Sequence, residues 1–128
     1  MAIQLDHLIL MVNDRAKTIE FYVGILGLKY EGERDPFSVI RVTPDFTIQI
    51  APWGTKGGEH LAFAMPRKEF DEVFRRVIDG GLEYGDRFDT VGNMRGPGDE
   101  PFGARGSGKA LYFFDPSRHL IEIRHYEV

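Results

Sequence analysis

The sequence contains no cysteine, which excludes disulfide bonds, thiolate metal ligands and a cysteine nucleophile. It also contains no apolar run approaching the roughly 18 residues of a membrane-spanning helix, and it does not begin with the basic and then apolar layout of a signal peptide. Basic residues are in the minority, and the net charge of -4 argues against a general attraction to nucleic acid or acidic membranes. These absences predict a cytoplasmic protein with no nucleic-acid or membrane partner.

The 128 residues suit one compact domain, and the chain repeats one pattern twice within it. The pattern is a strand, a helix and three further strands, which predicts module 1 at about 1–54 and module 2 at about 58–128. The two helices end alike, in "GLKY" at Gly27–Tyr30 and "GLEY" at Gly81–Tyr84. His7 and His60 are 53 residues apart, as are the helix-ending glycines Gly27 and Gly80, so the two histidines occupy equivalent places in the two opening strands.

Apolar periodicity predicts the individual elements. In module 1 the strands are expected at 3–12, 28–33, 37–43 and 46–51, and in module 2 at 60–65, 82–86, 110–114 and 119–126. The buried stripe of the first helix is expected to comprise Ala16, Ile19, Val23 and Leu26, and that of the second Phe70, Val73, Phe74, Val77 and Ile78. The segment 85–109 holds seven glycines and two prolines, which predicts a long functional or mobile loop.

Four strands each carry one polar side chain on the face opposite their bulkiest apolar residues, because strand side chains alternate. The polar residues are His7, Gln49, His60 and Glu122, and Glu122 lies between two isoleucines. If these faces converge, two imidazoles and a carboxylate form a divalent-metal site. Each residue alone also has a structural interpretation: a strand histidine is usually hydrogen-bonded, and Glu122 could pair with Arg124 of its own face.

The repeated units, with "LDHLILMVNDRAKTIEFYVGILGLKY" and "ALYFFDPSRHLIEI", resemble the vicinal oxygen chelate superfamily, which includes glyoxalase I, extradiol dioxygenases and bleomycin-resistance proteins. The resemblance implies an α+β fold in which two βαβββ modules form a trough of curved mixed sheets. It also implies a divalent metal ion (Fe, Mn, Ni or Zn) held by His7, His60 and Glu122. Gln49 is the nearest candidate for a fourth ligand, whereas His119 and His125 are weaker candidates.

The resemblance further implies a metal-dependent enzyme, a lyase or isomerase or a dioxygenase, that acts on a small oxygen-rich substrate. Met11 stands where glyoxalase I carries an arginine, and Ile9 where thiol-dependent fosfomycin enzymes carry a threonine, although Tyr112 matches a substrate-binding tyrosine of the latter. The alternatives are therefore a fosfomycin-resistance-like enzyme and a metal-free bleomycin-resistance-like binding protein. A homodimer is expected, since two-module chains of this superfamily commonly pair.

The remaining site candidates are grouped by the role that their chemistry suggests. Gln49, Tyr112 and Glu122 are the candidates for proton handling or orientation at the metal. An anionic substrate, such as a carboxylate or phosphonate, would suit the nearby cations. The substrate-binding candidates are Trp53, Phe102, Arg105, Lys109 and Arg124.

Overall fold

The computed structural model describes residues 2–127, and its elements follow the order βαβββ in the first half of the chain. The chain divides into two compact units, Met1–Gly57 and Gly58–Val128, for which we keep the names module 1 and module 2. Each module forms a sheet in which one strand pair is parallel and the others are antiparallel. The expected α+β class with mixed sheets is therefore confirmed.

Module 1 consists of one helix and a four-stranded sheet in the order β1-β4-β3-β2. Its first and last strands pair in parallel, while β2, β3 and β4 form an antiparallel meander. Its elements are β1 (His7–Met11), α1 (Arg15–Gly24), β2 (Lys29–Arg34), β3 (Phe37–Thr43) and β4 (Phe46–Ala51).

Helix α1 begins at a side-chain cap, because Asp14 accepts a hydrogen bond from the backbone N–H of Lys17 at 2.9 Å. Its buried face comprises Thr18, Phe21 and Tyr22, so the expected stripe was wrong in its phase. Two members of that expected stripe, Ala16 and Val23, are exposed, although Leu26 is buried. The two aromatic rings bury more apolar area than alanine and valine, and their burial sets the rotation of the helix.

Module 2 consists of one helix and a five-stranded sheet in which β5-β9-β8-β6 are consecutive neighbours and β7 also pairs with β8. As in module 1, the opening and closing strands, β5 and β9, pair in parallel. Its elements are β5 (His60–Ala64), α2 (Arg67–Asp79), β6 (Tyr84–Gly85), β7 (Gly98–Gly103), β8 (Gly106–Phe114) and β9 (Leu120–His125).

Helix α2 packs through Phe70, Val73 and Val77, which were expected in its buried stripe. Ile78 was also expected there, but it is 52% exposed. The helix ends with Gly80 as its C-cap, followed by Gly81 at a φ of 69°. A positive φ at this place is readily adopted only by glycine, which explains why the chain leaves the helix here.

The glycine-rich segment 85–109 is not a continuous loop, because it contains β7 and the first residues of β8. These strands form a hairpin in which Gly98 pairs with Ala110, Glu100 with Gly108 and Gly103 with Gly106. We call residues 98–110 the hairpin. Glycine is depleted in strands in general, so the composition alone predicts a loop. In this structure, close approaches of backbone and side-chain atoms require several of these glycines.

Within residues 2–127 we find no helix that is both long enough and apolar enough to span a membrane.

Candidate functional site

In module 1, the face of the sheet opposite α1 carries two of the predicted polar residues. The register pairs His7 with Thr47 and Ile9 with Gln49, so the side chains of His7 and Gln49 project from the same face. His7 Nδ1 lies 2.7 Å from Asp6 Oδ2, which leaves Nε2 as the ring nitrogen directed away from that contact. A carboxylate partner of this kind orients a histidine and raises its basicity as a metal ligand.

In module 2, the parallel pairing of β5 and β9 brings the other two predicted residues together. The register places Ala62 beside Glu122, so His60 and Glu122 project from the same face. His60 Nε2 lies 2.9 Å from Glu122 Oε1. The His60 side chain is 48% exposed whereas that of Glu122 is 6% exposed, so the carboxylate forms the floor and the imidazole lies nearer the surface.

The pair lies in a cavity of 440 Å³, a volume suited to a small metabolite. Strands β5, β8 and β9 form its floor, and the hairpin forms one wall. The small side chains of Ala62 and Ala64 leave the space open, which explains why the face of β5 that carries His60 holds little bulk. The lining residues also include Phe88, Glu100, Phe102, Gly103, Ala104, Tyr112, Arg124 and Tyr126.

The charge of Glu122 is compensated by Arg124, which is 3% exposed. Arg124 Nη1 donates to Glu122 Oε2 at 2.6 Å and to Glu100 Oε1 at 2.8 Å. Burial by itself lowers the pKa of Arg124, but hydrogen bonds to Glu100 and Glu122 raise it overall, so the guanidinium stays charged. The hydrogen bond from Arg124 likewise lowers the pKa of Glu100. Two carboxylates against one guanidinium leave an excess of negative charge in the cavity.

Sequence reasoning did not identify Glu100. Arg124 pairs with Glu122, an ion pair that the sequence suggests, but its second carboxylate comes from β7, in a segment whose composition predicts a loop. Only the hairpin register, which places Glu100 opposite Gly108, brings this carboxylate over β9. The sequence gives only an indirect indication of this contact. An arginine two residues from a glutamate on a buried strand has more donors than that one carboxylate can accept, which indicates further acceptors from elsewhere in the chain.

Tyr112 lies beside the pair, since the register places it opposite Glu122 and its ring centroid is 6.2 Å from that of His60. Burial, and then the neighbouring charge of Glu122, raises the pKa of Tyr112 well above its usual value of 10.0. The phenol is therefore protonated at neutral pH. It can donate a hydrogen bond or a proton to a ligand, but it does not serve as a base.

The donors of module 2 fit part of a divalent-metal site. Neighbouring ligands of an octahedral ion at about 2.1 Å lie about 3 Å apart, which matches the 2.9 Å between His60 Nε2 and Glu122 Oε1. An imidazole and a carboxylate suit Mn, Fe, Ni or Zn. No group of three or more His, Cys, Asp or Glu side chains able to hold a metal occurs in the part of the chain described, residues 2–127. The third expected donor, His7, belongs to module 1.

The predicted substrate-binding cations do not point freely into the cavity. Arg124 is buried and its Nη1 is bonded to the carboxylates of Glu100 and Glu122, and Arg105 lies over the ring of Tyr126 at 4.2 Å. Lys109 pairs with Asp99 at 2.6 Å and lines a different cavity together with His125. Lys109 lies opposite His125 in the register, on the face away from Glu122. The apolar pattern predicts a strand only from Ala110, whereas β8 begins at Gly106 and so includes Lys109 in the alternation.

The predicted aromatic and amide candidates are divided between the modules. Phe102, on the hairpin, lines the cavity and is 89% exposed. Trp53 belongs to module 1, where its ring packs against Phe37 at 5.7 Å. Gln49 lines a polar cavity of 320 Å³ in module 1 together with Thr47 and Arg41.

The two weaker histidine candidates have other surroundings. His119 is buried, and its Nδ1 accepts a hydrogen bond from the backbone N–H of Glu59 at 3.2 Å. His125 projects to the helix side of the sheet, where its ring packs against Phe70 of α2 at 4.9 Å.

Comparisons with known proteins agree with this architecture. The profile of the glyoxalase/bleomycin resistance protein/dioxygenase superfamily matches residues 4–123. The chain is 25% identical to the fosfomycin resistance protein FosX of Listeria innocua, over 93% of this chain and 86% of that protein. Among solved structures, the oxidase ChaP-H1 is 28% identical with a TM-score of 0.80, covering 98% of each chain. An integron cassette protein of V. cholerae is 27% identical with a TM-score of 0.79, covering 99% of this chain and 98% of that one.

Proposed function

Because the chain belongs to the glyoxalase/bleomycin resistance protein/dioxygenase superfamily, we propose that it is a divalent-metal-dependent enzyme acting on a small oxygen-rich substrate. The observation that carries the proposal is the contact of His60 Nε2 with Glu122 Oε1 at 2.9 Å, inside a cavity with excess negative charge. His60 and Glu122 would hold the metal ion together with His7. The bound ion would act as a Lewis acid on adjacent substrate oxygens, which is the chemistry that such open sites supply.

The chain's own residues define what the cavity does to a substrate. Arg124 fixes one oxygen of Glu122, so a single oxygen of this carboxylate faces His60. Tyr112 offers a protonated phenol beside them, which suits an orienting donor for a substrate oxygen. Phe88 and Phe102 line the cavity and offer apolar surface to a bound molecule.

The proposed assembly is a homodimer that completes or covers the site. The face of β1 that carries His7 also exposes Ile9 at 42% and Met11 at 48%, and Leu5 just before it is 74% exposed. A row of large apolar side chains around a candidate ligand is typical of a surface covered in an assembly. A twofold pair would cover it by the commonest closed symmetry.

The test is metal content after purification without chelators. We expect about one Mn, Fe, Ni or Zn per chain in the wild-type protein, and we expect His60→Ala and Glu122→Ala to lose it while retaining their circular dichroism spectra. Glu72→Gln, on the exposed side of α2, is the matched control and should retain the metal. Full metal stoichiometry in the Glu122→Ala variant would refute the assignment. A metal-free wild-type protein that binds bleomycin would instead support the binding-protein alternative.

A second candidate function, fosfomycin resistance, is favoured by the similarity to FosX over most of both chains. The placement of Tyr112 beside His60 is compatible with it. Expression in a fosfomycin-sensitive bacterium should then raise the tolerated drug concentration, and the His60→Ala variant should not. Equal sensitivity with and without the protein would exclude this candidate but leave the metal-dependent proposal standing.

A further inference from the structure

Arg124 connects the hairpin to the carboxylate of the candidate site. Besides its bonds to Glu122 and to the Glu100 side chain, its Nη2 donates to the backbone carbonyls of Glu100 at 3.3 Å and Gly106 at 3.0 Å. One buried guanidinium thus has four acceptors, three of which belong to the hairpin. The planar fork of arginine can satisfy acceptors in several directions at once, which a lysine ammonium cannot do with the same geometry.

The hairpin contains glycine where this guanidinium passes. A Cβ added at Gly103 would lie 2.3 Å from Arg124 Cζ and Nη2, and one at Gly108 would lie 3.2 Å from Nη2 and 2.5 Å from the carbonyl oxygen of His125. Any larger residue at Gly103 would displace Arg124 or move the strand. Two glycines of the segment that resembles a flexible loop, Gly103 and Gly108, are therefore required for close packing around Arg124.

The same guanidinium determines which oxygen of Glu122 is available. Glu122 Oε2 accepts from Arg124, and Oε1 faces His60. Glu100 Oε1 accepts hydrogen bonds from Arg124 and from the backbone N–H of Phe102 at 2.9 Å. The carboxylate of Glu100 therefore connects Arg124 to the part of the hairpin that lines the cavity. The side chain of Arg124 therefore links the carboxylate of Glu122 to the hairpin by direct hydrogen bonds.

We propose that Arg124 is a positioning residue that couples the order of the hairpin to the binding of a divalent cation at Glu122. The binding of a divalent cation at Glu122 rests on the proposed function, whereas the mechanical link between Glu122 and the hairpin rests on the observed contacts alone. Coupling is reciprocal: a cation that holds Glu122 in place stabilises the hairpin, and an ordered hairpin strengthens cation binding. The hairpin carries Phe102, so cation binding also places one wall of the substrate cavity.

The test combines amide hydrogen exchange of the hairpin with Mn²⁺ titration. In the wild-type protein, Mn²⁺ should slow exchange at the Phe102 amide and along the hairpin strands. Arg124→Met should weaken Mn²⁺ binding about 10- to 100-fold, the usual effect of removing a partner of a metal ligand. At saturating Mn²⁺ the hairpin of that variant should still exchange at its metal-free rate. Arg124→Lys should recover part of the affinity, and Arg75→Met, on exposed α2 surface, should match the wild type.

A second measurement is made without metal and separates this inference from the proposed function. Metal-free Glu122→Gln should exchange faster at Phe102 than the metal-free wild type, even though Glu122 lies on β9 and not on the hairpin. Unchanged hairpin exchange in this variant would overturn the positioning role of Arg124, whatever the outcome of the Mn²⁺ titration. The Glu122→Gln measurement also tests the proposal if Arg124→Met fails to fold. Absence of Mn²⁺ binding in the wild-type protein would contradict cation binding at Glu122 and the proposed function. Faster hairpin exchange in Glu122→Gln would still support the mechanical link between Glu122 and the hairpin.

Discussion

The stability of module 2 should depend on Arg124 more than on either of its carboxylate partners. In the Arg124→Met variant, Glu122 and Glu100 lose their shared cation while their side chains remain 6% and 19% exposed. Breaking a buried ion pair by removing one partner costs about 3–5 kcal/mol. Glu100 retains some contact with water, so we expect a loss of about 3 kcal/mol, a large part of the 5–15 kcal/mol typical of a domain.

The two carboxylates should be less sensitive, because each amide replacement keeps an acceptor and leaves Arg124 one charged partner. A hydrogen bond to a charged group contributes about 1.5–3 kcal/mol and a neutral one about 0.5–1.5 kcal/mol. Glu100→Gln and Glu122→Gln should therefore each cost about 1 kcal/mol. In the double variant Arg124→Met/Glu122→Gln, the buried charge of Glu122 is gone as well, so its loss should be smaller than that of Arg124→Met alone.

The assay is urea denaturation of the metal-free proteins followed by far-ultraviolet circular dichroism, with Arg75→Met as the control. The reasoning predicts non-additivity of at least about 1 kcal/mol in the cycle between Arg124 and Glu122, since the two side chains are in contact. If Arg124→Met lost less than about 1 kcal/mol, or if the two losses simply added, the guanidinium would not be neutralising buried carboxylates and the account of the site's charge would be refuted.

Three further predictions concern other features of the chain. Mixing His7→Ala and Glu122→Ala chains under exchange conditions should restore metal binding in part if the site is shared in a homodimer, because one site of each mixed dimer is wild type. No restoration would place each site within one chain. A monomer at micromolar concentration would contradict the dimer. Gly24→Ala should raise the free energy of unfolding by about 0.5 kcal/mol, because this residue lies in α1 and a Cβ there meets nothing within 4 Å; a loss in thermal melts would contradict this reading. The pKa of Glu100 lies below its usual 4.5, so its stabilising contribution is present above pH 4.5 and is lost as the pH falls through the lowered value. The stability difference between wild type and Glu100→Gln should therefore shrink in acid, and a difference that grows below pH 4.5 would show the opposite sign.

The architecture and two of the candidate ligands could be predicted from the sequence because both depend on short-range periodicity. The repeat of strand, helix and three strands is visible in the spacing of apolar residues and helix-ending glycines. The structure contains those elements in that order, with β7 as one additional strand in module 2. Alternation along β5 and β9 is enough to place His60 and Glu122 opposite the bulky apolar residues of their own strands. Parallel pairing of the two strands then brings the side chains to 2.9 Å.

Tertiary structure decided what surrounds those ligands. The hairpin register brings Glu100 to Arg124 and turns Lys109 to the opposite face, and that register follows from a tight turn among glycines whose composition resembles a loop. The phase of α1 was likewise settled by the burial of two aromatic rings and not by the spacing of its aliphatic residues. In each case the deciding contact either joins residues that are distant in the chain or competes with an equally regular local pattern. Such a contact contributes free energy only when the side chains pack together, so the local sequence does not reveal it.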